Sequence, residues 1–148
     1  MPKANPQAAT MGGSADDLEA SFYEALQNGD IEQLMACWAD EDDILCVQPG
    51  GARLMGPAAI RAAFDAMFAN GRIRAWPERV RRIESMASSV HSVVERIEVL
   101  TAEGPREAFV TATNVYHKTA QGWRLVAHHA SAGAAQETQE FHASQVLH

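Results

Sequence analysis

A histidine pair near the end of the chain is the first feature that could carry chemistry. His128 and His129 are adjacent in a segment whose residues favour a β-strand, so their side chains point to opposite faces. One of the two therefore faces the interior, and the local pattern leaves open which. A buried histidine suits acid–base work because its ordinary pKa of about 6.5 lies near neutral pH. The alternative is a hydrogen-bonded histidine of the core.

Glu95 is a carboxylate on a strand face that is otherwise largely apolar. The face that alternation assigns to it also holds His91, Val93, Ile97 and Val99. A carboxylate in such surroundings must be paired, or its pKa must rise. We expect either a polar part of a pocket or a partner such as His128 or an arginine. A purely structural ion pair, or a different strand register, is the alternative.

Asn114 and Tyr116 share one face of a neighbouring strand by the same alternation. Their polar tips could donate hydrogen bonds to a ligand carbonyl, or they could satisfy backbone groups inside the fold. Aromatic residues of the first half favour an apolar wall, and they are Phe22, Trp38, Phe64 and Phe68. Such a wall can serve as core and as pocket lining at once.

Other kinds of chemistry lack the residues they need. Cys37 and Cys46 have neither metal-ligand nor redox spacing, which favours apolar fillers in a reducing compartment over a disulfide. The acidic run 40–43 lacks the glycine and the distal glutamate of a calcium loop. The sequence contains no histidine pair at zinc-binding spacing, no glycine-rich phosphate loop and no Gly-x-Ser-x-Gly elbow. We therefore expect neither a metal nor a cofactor.

Length and charge limit the class of protein. The 148 residues fit one domain, and the net charge of −7 argues against binding to nucleic acids or anionic membranes. No apolar run approaches the roughly 20 residues that span a bilayer. We predict a disordered leader over 1–14 rather than a secretion signal, a folded domain over 15–132 and a loose tail over 133–148. The expected location is cytoplasmic.

The elements that must position these residues change character at about residue 72. Before it, apolar residues recur at helical spacing in three segments, and a short apolar run at 44–47 is typical of a strand. After it, the period changes to two in the segments 80–86, 90–100, 108–118 and 123–131. Short connections make these strands antiparallel neighbours, and three helices can cover only one face. We predict an α+β fold with a curved antiparallel sheet wrapped around three N-terminal helices.

This order of elements resembles the nuclear transport factor 2-like superfamily, which includes the ketosteroid isomerases and the SnoaL-like polyketide cyclases. The resemblance rests on NGDIE at 28–32, WAD at 38–40, PGG at 49–51, Gly56, Ile60, GWRL at 122–125 and HHAS at 128–131. It implies a cystatin-like cone with a pocket between helices and sheet, and it turns His128 into that pocket. It also implies a homodimer through the outer face of the sheet.

The superfamily hosts many activities, so its residues are carried over one at a time. The aspartate base of the ketosteroid isomerases corresponds to Gln48, which cannot accept a proton at neutral pH. Their tyrosine donors correspond to Phe22, Trp38 and Phe64, which lack the hydroxyl. Their protonated aspartate corresponds to Asn114, which can donate a hydrogen bond but does not titrate. The resemblance therefore implies the pocket without the isomerase mechanism.

Three functions fit these features, and the leading interpretation is a protein that binds a small organic molecule. Its pocket would be lined by Phe22, Trp38, Phe64 and Tyr116, with Gln48, Glu95, Asn114 and His128 as polar contacts. The alternative is a cofactor-independent isomerase, cyclase, hydrolase or dehydratase. In that enzyme His128 would be the acid–base group and Asn114 would hold a developing oxyanion. The third is a dimerisation or accessory module whose cone is filled by side chains.

Overall fold

Three helices and a six-stranded sheet make up the computed structural model, which describes residues 13–133. The helices are α1 (Ala15–Asn28), α2 (Ile31–Cys37) and α3 (Pro57–Ala69). The strands are β1 (Leu45–Val47), β2 (Leu54–Met55), β3 (Ala75–Glu84), β4 (Ser88–Thr101), β5 (Gly104–Thr119) and β6 (Gly122–Ala132). The leader predicted over 1–14 and the tail predicted over 133–148 lie outside the described residues, apart from residues 13, 14 and 133.

The helix boundaries follow the start and stop residues of the sequence. The Ser14 hydroxyl accepts a hydrogen bond from the Asp17 backbone N–H, and the Asp30 carboxylate caps α2 in the same way. Gly29 ends α1 in the left-handed conformation, with φ of 64°, which a residue with a side chain would adopt at a cost. Because one residue ends a helix and the next caps another, α1 and α2 are joined by a sharp turn.

The sheet confirms the predicted fold class and adds one parallel pair. Its strand order is β2-β1-β6-β5-β4-β3, and all neighbours are antiparallel except β1 and β6. The first long strand, predicted from residue 80, begins earlier in the structure, at Ala75, and the second, predicted from residue 90, begins at Ser88. The turn lies just before it, where the Ser88 backbone N–H donates to the Ser85 hydroxyl at 3.2 Å.

Two bulges bend the long strands. In β3 the register shifts between Glu78 and Arg81, and Arg79 there has a positive φ of 49°. In the pair β5–β6, Val115 lies opposite Ala127 whereas Tyr116 lies opposite Leu125, so β6 carries one extra residue. An extra residue increases local twist and bends its strand. It also turns the side chains beyond it to the other face.

The core lies between the helices and the concave face of the sheet. Apolar residues of all three helices form one buried cluster with residues of the inner sheet face such as Val93, Tyr116 and Leu125. Both cysteines are buried and unpaired, and burial raises the pKa of each thiol to about 12. No helix among residues 13–133 is long and apolar enough to cross a membrane.

Candidate functional site

A cleft of about 200 Å³ opens between the concave sheet face and the helices. Its walls are largely apolar, and its polar lining residues are Gln48, Glu95 and His128. The complete lining consists of Phe22, Leu26, Gln48, Pro49, Phe64, Ile73, Ala75, Glu95, Ile97, Val110 and His128. An apolar hollow with a few polar groups on its wall is the usual make-up of a site for a small organic molecule.

Glu95 brings a carboxyl group into this cleft from the middle of β4. The side chain is held by a hydrogen bond of 2.6 Å from the Tyr23 hydroxyl of α1. Burial raises the pKa of Glu95 to about 7, against the lowering effect of the Tyr23 hydrogen bond. The predicted partner, a histidine or an arginine, is therefore replaced by a neutral phenol, which stays protonated because burial and Glu95 raise the pKa of Tyr23.

His128 enters the cleft from β6 because of the bulge in that strand. Without the extra residue, Leu125 and His128 would face opposite sides, whereas both are buried in the structure and His129 is exposed. The His128 Nδ1 lies 2.5 Å from the Asn114 Oδ1 on the paired position of β5. Burial lowers the pKa of His128 to about 4, with His129 acting in the same direction and Glu19 against it. The ring is therefore neutral at neutral pH.

A second layer of polar groups lies behind these two side chains. The Asn114 Nδ2 donates to the Tyr23 hydroxyl at 3.0 Å and to the Glu19 Oε2 at 3.2 Å. The Tyr116 hydroxyl donates to the same Glu19 oxygen at 2.6 Å. All four side chains are buried, so each hydrogen bond forms in surroundings of low dielectric constant, where the loss of a partner is costly. We refer to Glu19, Tyr23, Glu95, Asn114, Tyr116 and His128 as the inner cluster.

His91 adjoins the inner cluster and does not line the cleft. Its Nδ1 lies 3.0 Å from the Glu19 Oε2 without forming a hydrogen bond, and its Nε2 lies 3.0 Å from the Ser89 hydroxyl. A serine, a histidine and a carboxylate in this order resemble a hydrolase triad. Ser89 is only 1% exposed and does not line the cleft, so a substrate in the cleft would not reach its hydroxyl.

The structure divides the residues predicted for the site into two groups. Phe22, Gln48, Phe64, Glu95 and His128 line the cleft together.

Three predicted residues do not line the cleft. Trp38 packs edge-on against Phe22, with ring centroids 6.5 Å apart, and is not part of the cleft lining. Tyr116 lies deeper, on Glu19. The Asn114 amide is occupied at both ends, so the oxyanion role predicted for it has no free donor.

Sequence reasoning missed Glu19 and Tyr23. Leu18 and Phe22 belong to the apolar stripe of α1, and both are buried. The residues one position further on, Glu19 and Tyr23, are spaced by four and are buried beside that stripe. The positions that correspond to the isomerase tyrosines lack a hydroxyl, but α1 supplies one from Tyr23, which bonds Glu95 directly. The available signal in the sequence was the spacing of Glu19 and Tyr23, which puts an acid and a phenol on one side of the helix that could face Glu95.

Comparisons with known proteins agree with this architecture. The family model described as a SnoaL-like domain matches residues 16–135. The chain thus belongs to the SnoaL-like family, within the nuclear transport factor 2-like superfamily that its cone fold defines. No curated protein matches the chain.

Solved structures give the same fold. A candidate association domain of calcium/calmodulin-dependent protein kinase type II from Thiobacillus denitrificans is 35% identical, with a TM-score of 0.74 over 82% of this chain and 96% of that one. A candidate dehydratase of the nuclear transport factor 2-like family from Streptomyces avermitilis is 26% identical, with a TM-score of 0.73 over 85% and 99% of the two chains. A protein of unknown function from Pseudomonas putida, 19% identical with a TM-score of 0.71 over 88% and 92%, shares the fold alone.

Proposed function

We propose that the protein binds a small, mainly apolar organic molecule in the cleft between its helices and its sheet. The observation that carries the proposal is the composition of the cleft wall, where Glu95 and His128 interrupt an apolar lining. Phe22 and Phe64 supply flat apolar surfaces, and the amide of Gln48 supplies a third polar contact. A ligand of this kind buries its apolar body and places a polar group between the carboxyl and the imidazole.

Native mass spectrometry of the freshly purified protein tests this proposal, because a retained ligand appears as added mass. Titration with phenol, followed in ¹H–¹⁵N correlation spectra, tests the cleft directly. We expect the amide signals of cleft residues to shift in the unaltered protein. Val110→Trp, which fills the cleft, should abolish the shifts, whereas Val99→Trp at a 43% exposed position should retain them. The proposal would be contradicted if the unaltered protein showed no added mass and no signal shifts.

Acid–base catalysis is a second candidate, and the opposite pKa displacements of two groups in one cleft favour it. A carboxyl group with a pKa of about 7 can give a proton at neutral pH, and a neutral imidazole can accept one. The reaction classes that need only such a pair are isomerisation, cyclisation, hydrolysis and dehydration, without a cofactor. The 26% identical structure from Streptomyces avermitilis, described as a candidate dehydratase, supports this second candidate.

The catalytic candidate is tested by His128→Ala in a substrate screen. We expect turnover of any substrate found to be lost even at temperatures where the variant, which loses the buried contact with Asn114, is still folded. If the variant mainly loses stability and retains turnover, the histidine is structural and the binding function stands alone.

Self-association through the outer face of the sheet is the partner interaction that we propose. The 35% identical relative from Thiobacillus denitrificans is described as an association domain, which supports it. On that face Val94 and Val115 are half-buried and Trp76 lies under the guanidinium of Arg96, 4.7 Å from its ring centroid. The subunit number in the same mass spectra tests this, and a monomer at micromolar concentration would contradict it. The two unpaired thiols favour a reducing, cytoplasmic location.

A further inference from the structure

His128 can present either a hydrogen-bond donor or an acceptor to the cleft, depending on which ring nitrogen holds its proton. The contact that decides this is the one between Nδ1 and the Asn114 Oδ1. An amide oxygen only accepts hydrogen bonds, so Nδ1 must be the donor. In a neutral ring the second nitrogen then has no proton. Among the described residues, only Asn114 hydrogen-bonds to the His128 ring, so Nε2 is left for a ligand.

The orientation of the Asn114 amide is itself fixed from behind. Its NH₂ group has two acceptors, the Glu19 carboxylate and the Tyr23 hydroxyl. A flipped amide would place its oxygen against the Glu19 carboxylate and its NH₂ against the His128 Nδ1, which loses both favourable contacts. Glu19 is held in turn by the Tyr116 hydroxyl at 2.6 Å. Glu19 accepts from both Tyr116 and Asn114, so the polarity that reaches the cleft is set by the two contacts Glu19–Asn114 and Asn114–His128.

We propose that Glu19 and Asn114 are positioning residues that keep the His128 proton on Nδ1, so that the cleft selects ligands presenting a hydroxyl or N–H group to Nε2. The part concerning ligands rests on the proposed binding function. The part concerning the imidazole does not, because it follows from the contacts within the protein. Burial lowers the pKa of His128 to about 4, so the ring is neutral at pH 7. Only a neutral ring has one nitrogen with a proton and one without.

The tautomer is measured by long-range ¹H–¹⁵N correlation spectra of the ¹⁵N-labelled protein, in which the two ring nitrogens differ in shift. We expect the Nδ1–H form alone for His128 in the unaltered protein at pH 7. An Nε2–H form there would overturn the proposal without any variant being needed. The tautomer of the unaltered protein therefore tests the proposal even if a variant fails to fold.

Three variants assign the effect to its residues. Asn114→Leu removes the acceptor and should transfer a large part of the population to Nε2–H. Glu19→Met removes one of the two acceptors of the amide and should produce a smaller Nε2–H population. Tyr116→Phe serves as the matched control, since it leaves the Glu19–Asn114 contact in place and should leave the tautomer unchanged. An unaltered tautomer in Glu19→Met would remove Glu19 from the proposal.

Ligand selection is tested with phenol and anisole, which differ by one O–H donor. We expect phenol to bind the unaltered protein several-fold to about tenfold more tightly than anisole, the value of one hydrogen bond. His128→Phe should bring the ratio close to one, which controls for the extra methyl group of anisole. Equal binding in the unaltered protein would overturn the selection. If the unaltered protein bound neither phenol nor anisole, the proposed function would be contradicted instead. The tautomer spectra would still decide the role of Glu19 and Asn114.

Discussion

The two faces of the same sheet handle their charged groups in opposite ways. On the outer face, Arg96 reaches the carboxylates of Glu78, Glu98 and Glu107 at 3.3–3.5 Å, and each carboxylate meets a permanent cation. On the inner face, Glu95 meets the hydroxyl of a tyrosine. The inner cluster contains no arginine or lysine, whereas the carboxylates on the outer face contact Arg96.

This difference decides where chemistry at neutral pH is available. On the outer face, each carboxylate has an arginine beside it and lies close to water, which screens the pair. A phenol or an amide satisfies hydrogen bonds without cancelling charge, so burial is free to raise the pKa of Glu95 to about 7. The inner cluster thus holds a carboxyl group, Glu95, whose protonation changes near neutral pH, whereas the carboxylates of the outer face are paired with arginine.

The largest expected effect concerns the buried carboxyl group. Glu95→Gln keeps the shape and an acceptor for Tyr23 but does not titrate. A rise of the pKa from 4.5 to about 7 in the folded protein means that the unaltered protein loses about 3 kcal/mol of unfolding free energy as the pH rises through that window. We therefore expect the variant to gain about 3 kcal/mol relative to the unaltered protein between pH 4 and pH 8, measured by urea unfolding.

His128 contributes with the opposite sign and must be separated from Glu95. Its pKa is lowered from 6.5 to about 4, so its contribution to stability is present above pH 6.5 and is lost as the pH falls through 4. Because both proteins contain His128, its effect cancels in their difference. A difference that is flat with pH would show that Glu95 is ionised in the fold, and the contrast between the two faces would fail.

A smaller effect is expected from the hydroxyl of Tyr116. Tyr116→Phe removes a buried donor from Glu19 and leaves the ring in place, so it should cost about 2 kcal/mol. The measurement is urea unfolding at pH 7. A double-mutant cycle with Glu19→Gln isolates the contact, and a coupling energy near zero would mean that the inner cluster is not connected as described.

The smallest effect is expected on the outer face. The Arg74 Nε lies 3.0 Å from the Glu98 carboxylate, with the two side chains 51% and 36% exposed. Arg74→Gln should therefore change the unfolding free energy by less than about 1 kcal/mol, and added salt should reduce the difference further. If Arg74→Gln lost as much unfolding free energy as Tyr116→Phe, the two faces would not differ in the way described.

Local signals predicted the helical half of the fold well. Three helices were predicted there and three are present, and Ser14, Gly29 and Asp30 fix two of their ends because a cap depends on the residue and its immediate neighbours. Alternation likewise placed Glu95 on the inner face of β4, since no bulge interrupts the pairing of β4 with β5.

The sequence by itself determined the order of the elements, the apolar stripes and the presence of a carboxyl, an amide and a histidine on inward faces. Local alternation left the choice between His128 and His129 open, and the tertiary structure gives the reason why His128 faces the cleft, because the bulge in β6 changes the face of every residue after it. It also decided that Glu19 and Tyr23 meet Asn114, residues that are 95 and 91 positions apart in the chain. Periodicity describes one element at a time, whereas these contacts depend on how a helix lies across a bent sheet.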